Sequence, residues 1–209
     1  TPQQADTISL WVVHTWTFEA SDTTPYLWIS SPEKRSGKTR LLETLEQLVR
    51  DPWFTGQTSS AALFRKIERD KPTLLFDEVD AMFKGKKELD DDLRGLLNQG
   101  HRKWGSSVAR VSQSGNFEIQ NFSVFCPKAI AGIGNFLPDT VADRSIPIEL
   151  KRKAKPEPVA RFRHRNVLKE AAPIRSRLEA WAEGNVDRVA ELIEAGPELP
   201  LTLSDRAAD

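Results

Sequence analysis

Tyr26-Leu27-Trp28-Ile29, then Ser30-Ser31-Pro32-Glu33-Lys34-Arg35-Ser36-Gly37-Lys38-Thr39, then Arg40-Leu41-Leu42, reads as strand, loop and helix in direct succession. The apolar run suits a short buried strand, and Leu41, Leu42, Leu45, Leu48 and Val49 recur at the helical period. At such a junction a tight turn aims backbone amides and a helix N-terminus at a phosphate chain. Lys38 is then placed to reach the terminal phosphates, and the Thr39 hydroxyl to ligate magnesium. A Gly-Lys-Ser/Thr triplet arises by chance in about one in ten chains of this size, so the flanking strand and helix carry the assignment. Pro32 stands where the full GxxxxGK[ST] pattern has its first glycine. It fixes one dihedral and removes an amide donor, so the loop entry is expected to differ and nucleotide affinity to be weakened.

Thr73-Leu74-Leu75-Phe76 is a second short apolar run, and it ends in Asp77-Glu78. An aspartate at the carboxyl end of a buried strand can hold a magnesium shell, and a glutamate beside it can orient and deprotonate an attacking water. An ordinary strand meeting solvent at two acids is the simpler reading of this run alone. Phosphate transfer to a bound acceptor needs no water-activating acid, so the pair points to hydrolysis.

Around these two stretches the pattern alternates. A helix is expected over residues 5–20, a strand at Trp53-Phe54-Thr55, a helix capped by Ser59 or Ser60, and a helix over 86–103. A hairpin insertion is expected over about 107–122, turning at Gln113-Ser114-Gly115-Asn116. A strand within Ser123–Gly132, a brief helix over Pro138–Asp143 and a last strand over Ile146–Leu150 follow, the last at an edge because of Pro147. From residue 158 the pattern is helical. The core is placed at 1–153 and a helical lid or linker at 154–209; the end at Ala207-Ala208-Asp209 has no closing element and reads as cut inside a longer protein.

Composition excludes several classes. With 209 residues, 39% apolar and 29% charged, the chain can build a core without staples. It has no apolar run long enough for a membrane helix and no leader pattern, so a cytoplasmic, membrane-free protein is expected. One cysteine, Cys126, and three histidines form no metal-ligand spacing. Thirty basic and thirty acidic side chains cancel, so a charged partner must find a local patch. Residues 151–165 hold seven Lys or Arg against the single Glu157: a solvated face or a DNA contact.

The order Gly37-Lys38-Thr39, Phe76-Asp77-Glu78, hairpin, Ala131-Gly132-Ile133-Gly134-Asn135 and Asp143-Arg144 resembles the AAA+ ATPases. More narrowly, Ser31–Thr39, Leu74–Asp80 and Pro127–Arg152 resemble a helicase-like ATPase domain of bacterial phage, plasmid and integrated mobile-element proteins, often joined to primase modules. The resemblance implies an α/β, three-layer P-loop NTPase fold with a central parallel five-stranded sheet, an inserted hairpin and a small helical lid. It implies ATP and Mg2+ as ligands, held by Pro32, Glu33, Lys34, Arg35, Ser36, Gly37, Lys38 and Thr39, with Thr39 and Asp77 at the metal and Glu78 as base. Asn135 matches the polar sensor of the γ-phosphate, or else caps a helix. Arg144 matches an arginine finger acting in a neighbouring subunit, or else pairs with Asp143 or Asp139. Arg152 or Arg206 matches the second sensor arginine.

By the same resemblance a homo-oligomeric ring, such as a hexamer, is expected on single-stranded or duplex DNA, with the hairpin directed into a pore. Arg102, Lys103 and Arg110 are candidate phosphate contacts and Trp104 a base-stacking surface, unless Trp104 covers the core instead. Three functions fit: an ATP-driven DNA remodelling or unwinding motor in replication of a phage or mobile element, an ATP-dependent switch or loader without strand separation, and a DNA-binding module with a decayed nucleotide site.

Overall fold

The computed structural model describes residues 1–55, 59–82, 87–111 and 119–196. The chain begins with α1 (Pro2–Thr17), whose first turn is closed by a capping box between Thr1 and Gln4. There follow β1 (Tyr26–Ser31), α2 (Lys38–Glu46), β2 (Pro52–Thr55), α3 (Ser60–Asp70), β3 (Thr73–Phe76), α4 (Val79–Met82) and α5 (Lys87–Gln99). The remainder is β4 (Ser107–Val111), β5 (Ile119–Ser123), β6 (Lys128–Ile133), α6 (Asp139–Ala142), β7 (Ser145–Glu149) and α7 (His164–Ala195).

Five strands form one parallel sheet in the order β2-β3-β6-β1-β7. Alternate residues of each strand feed opposite faces. Tyr26, Leu74, Phe76 and Ile130 enter a core shared with α3 and α5. Leu27, Ile29, Leu75, Ala129 and Ala131 enter a second core with Trp11, Val12, Leu42 and Leu45 of α1 and α2. Pro52 and Pro147 both lie on edge strands, where a missing amide is tolerated. The hairpin pairs β4 with β5 antiparallel and stands outside the sheet; its expected turn, residues 113–116, lies outside the described residues.

Two expectations are corrected. The strand sought within 123–132 is confined to β6, from Lys128. Before it, Pro127 offers no amide, and the Val124 and Cys126 carbonyls turn toward the Lys128 ammonium, which also reaches the Gly100 carbonyl (2.9, 2.8 and 3.1 Å). Lys128 is wholly buried, and its ammonium lies 5.0 Å from the Tyr26 ring centroid. Helix is also absent from 158 to 163: a turn in which the Glu157 carboxylate accepts from the Ala154 amide, with Pro156 and Pro158, delays α7 to His164.

The C-terminal helical element is one 32-residue helix, with Pro173 inside it. Ala171 and Ala182 are buried, Leu178 packs against the α1–α2 core, and Arg175 lies over Trp16 at 5.9 Å. Among the described residues no helix is long and apolar enough to cross a membrane.

Candidate active site

The parallel sheet sends the carboxyl ends of β1, β3 and β6 to one edge, where a crevice forms between a strand and the helix that follows it. A cavity of about 580 Å³ opens there. Lys34, Arg35, Ser36, Gly37, Lys38, Thr39 and Arg40 form one wall, Asp77, Glu78 and Asp80 the second, and Gly132 and Ile133 the floor. Four cations thus face three carboxylates.

The first wall is a loop wound around one ammonium. Lys38 Nζ donates to Ser31 Oγ (2.6 Å), Ser36 Oγ (3.3 Å) and the Glu33 carbonyl (3.4 Å). Ser31, buried at the end of β1, donates in turn to the Glu33 carbonyl (2.7 Å). Gly37 caps α2 at φ +94°, a conformation that glycine adopts without strain, and Arg35 is also left-handed at φ +63°. Pro32 and Glu33 lie in the exposed entry to the loop and do not line the cavity.

The second wall meets the first directly. Thr39 Oγ1 donates to Asp77 Oδ2 at 2.8 Å, joining residues far apart in sequence. Asp77 Oδ1 accepts the Glu78 amide (2.9 Å), and Glu78 is exposed with φ +55°. Asp80 Oδ1 accepts the Ile133 amide (3.1 Å), and the Ser31 carbonyl accepts the Gly134 amide (2.8 Å). The tip of β6 is thereby tied to β1 and to α4, the short helix that follows β3.

Among the described residues no three His, Cys, Asp or Glu side chains gather as a metal cage. The donors present suit magnesium nonetheless: it takes one or two protein oxygens and fills its octahedron with phosphate and water. Thr39 Oγ1 and Asp77 Oδ2 are such oxygens.

The other sequence-chosen residues scatter. Asn135 is exposed two residues beyond Ile133, outside the cavity lining; the N-cap of α6 is Pro138, so Asn135 is not its cap. Arg152 stands beside the loop, 3.8 Å from Glu33. Arg206 lies outside the described residues. Arg144 is at the opposite edge of the sheet, just before β7, where Nη1 donates to Asn98 Oδ1 (3.0 Å) and its carbonyl accepts the Tyr26 amide.

Arg102, Lys103 and Trp104 share an exposed turn after α5. Lys103 Nζ donates to the Glu19 carbonyl (2.8 Å) and Trp104 Nε1 to Asp22 (3.2 Å). Trp104 is 76% exposed, so it does not cover the core. Arg110 is turned inward: it pairs with Asp92 and lies 4.7 Å over the Phe64 ring.

Sequence reasoning passed over Ser31, Asp80 and Lys128. Asp80 sits two residues past Glu78 and was open to notice; Ser31 is set by the winding of its own loop around Lys38, and Lys128 by the turn before β6 and the Gly100 carbonyl, which neither period nor motif encodes.

A family model described as a protein of unknown function (DUF3631) matches residues 149–209, beyond every residue of the cavity. No curated protein has a matching sequence. The C-terminal region of NrS-1 is similar in structure, with a TM-score of 0.51 and 15% identity over 86% of this chain and 45% of that one. JCV helicase aligns at TM-score 0.43 and 18% identity over 95% of this chain and 57% of that one. A DNA polymerase III gamma subunit-related protein from Thermotoga maritima aligns at TM-score 0.40 and 9% identity over 94% of this chain and 69% of that one. The chain therefore spans less than half the length of the NrS-1 structure. That likeness is one of fold: this is a three-layer α/β domain built on a five-stranded parallel sheet, with a hairpin outside the sheet and a C-terminal helix.

Proposed function

We propose that the chain is an ATPase of the AAA+ type, which couples hydrolysis to remodelling or unwinding DNA in the replication of a phage or mobile element. The observation that carries this reading is the Thr39–Asp77 hydrogen bond at the head of a cavity whose loop converges on Lys38. Lys38 exchanges its loop acceptors for phosphate oxygens of bound ATP. Thr39 and Asp77 hold Mg2+, which supplies charge neutralisation on the phosphates. Glu78, exposed at the solvent side, orients a water in line with the terminal phosphate and takes its proton.

Asn135 is one short turn from the cavity floor and is assigned to sensing the terminal phosphate. Arg152, beside Glu33, is favoured over Arg206 as the second sensor because it already borders the loop. Arg144 serves a neighbouring subunit in a ring, which requires it to leave Asn98. The exposed Arg102, Lys103 and Trp104 form the single-strand contact, by charge and stacking; Arg110 is left out because its guanidinium is turned inward against Asp92 and the Phe64 ring. The protein works in the cytoplasm.

One observation favours the switch or loader as a second reading. Lys38 is already bonded to three loop oxygens, so ATP must break a formed network to enter.

Glu78→Gln is expected to bind Mg2+–ATP as the unaltered chain does and to lower turnover by a hundredfold or more, about the worth of a general base. Stimulation of the unaltered chain by single-stranded DNA supports the motor; hydrolysis indifferent to DNA supports the switch. Full activity in Glu78→Gln overturns the site.

A further inference from the structure

The cavity walls account for phosphates and a cation but not for a base. Among the described residues no aromatic side chain lines the cavity, whereas a nucleotide base presents two flat faces that bind best by stacking. Two aromatic rings among the described residues border the lining. Phe136 is wedged against Gly132, where an added Cβ would fall 2.5 Å from the ring, and meets Trp28 edge to face at 6.1 Å, so its faces belong to the core. Phe162 belongs to neither core. It is half-buried, and the guanidinium of Arg40, a cavity residue, lies 4.9 Å over its ring.

The segment that carries Phe162 is tethered along the loop. Leu150 donates its amide to the Ser30 carbonyl (2.8 Å), and Arg152 faces Glu33 at 3.8 Å. The chain then makes the exposed turn held by Glu157 and returns to α2 at Phe162. Residues 150–163 thus form a strap fixed at both ends to the phosphate loop and its helix.

The geometry points to the Phe162–Arg40 pair as the platform on which the base of the bound nucleotide stacks. This inference rests on the proposed ATP site and adds the substrate's nucleoside half to it. A guanidinium plane and a phenyl ring each offer a flat face; α2 places Arg40 one residue beyond Thr39, and the strap lays Phe162 against it.

The test compares two ligands, Mg2+–ATP and Mg2+–tripolyphosphate, by titration calorimetry on the full chain and its variants. Phe162→Ala is expected to weaken ATP about tenfold, the size of one base–aromatic stack, and to leave tripolyphosphate unchanged. Phe162→Tyr is expected to bind both as the unaltered chain does. An equal loss for both ligands in Phe162→Ala, or no loss for ATP, overturns the platform. Failure of the underlying reading looks different: the unaltered chain binds neither ligand, or Lys38→Ala binds both undiminished.

Discussion

Glu78 occupies a left-handed conformation that a side chain bearing a Cβ adopts at a cost of about 1 kcal/mol, and such strain concentrates where chemistry fixes the residue. Its amide is held by Asp77 Oδ1, so the backbone direction, and with it the reach of the carboxylate, follows from Asp77. Function and stability should part company here. Glu78→Gly is expected to leave the melting temperature unchanged or raise it by a few degrees, since glycine relieves the strain, while ATP turnover is lost. Thermal unfolding and phosphate release on the same preparation check both. A marked fall in melting temperature would show that Glu78 holds the fold and not the reaction.

At the scale of elements, α1 carries a histidine that ties stability to pH. His14 Nε2 lies 2.8 Å from Thr24 Oγ1, and burial lowers its pKa to about 4 from the usual 6.5. His101 is lowered to about 4 as well, by burial and then by the Arg144 charge. Both side chains are neutral in the folded chain where the unfolded chain takes up protons, so stability falls as pH drops from about 6.5 to about 4. For His14 the full loss is about 3 kcal/mol. His14→Gln keeps a partner for Thr24 and is expected to flatten the acid limb of stability against pH in urea unfolding; an unchanged limb would remove His14 from the account.

The elements also mark the limits of sequence reading. The strand–loop–helix from Tyr26 and the Leu74–Glu78 strand are legible because period, punctuation and charge agree locally. The strand expected within Ser123–Gly132 begins only at Lys128, because Pro127 offers no amide and the buried ammonium draws the Val124 and Cys126 carbonyls aside. In the same way Lys38, Thr39, Asp77 and Glu78 are readable from motif and fall together in the fold, whereas the bond of Asp80 to the Ile133 amide depends on strand order, which no motif states.

For the molecule as a whole, the 32–37 loop follows the carboxyl end of β1 whereas the Arg144 carbonyl accepts the Tyr26 amide at its amino end, so the two stand at opposite ends of the strands. If Arg144 acts at all, it acts in a partner. Mixing Lys38→Ala with Arg144→Ala subunits is then expected to recover about a quarter to a half of the activity that each lacks alone, through mixed interfaces that pair an intact loop with an intact arginine. Hydrolysis measured against mixing ratio tests this; additive, near-zero rates would confine Arg144 to its bond with Asn98.

The lysine sealed beneath β6 has a consequence for how this chain can drift. A Cβ at Gly100 would fall 2.6 Å from Lys128 Nζ and 2.4 Å from the Val124 carbonyl, so the smallest residue and the ammonium occupy complementary space. Removing the charge strands three carbonyls, and enlarging the glycine evicts the charge. Positions 100 and 128 are therefore a mutational lock: neither opens by a single step, and descendants of this chain keep both or exchange both at once.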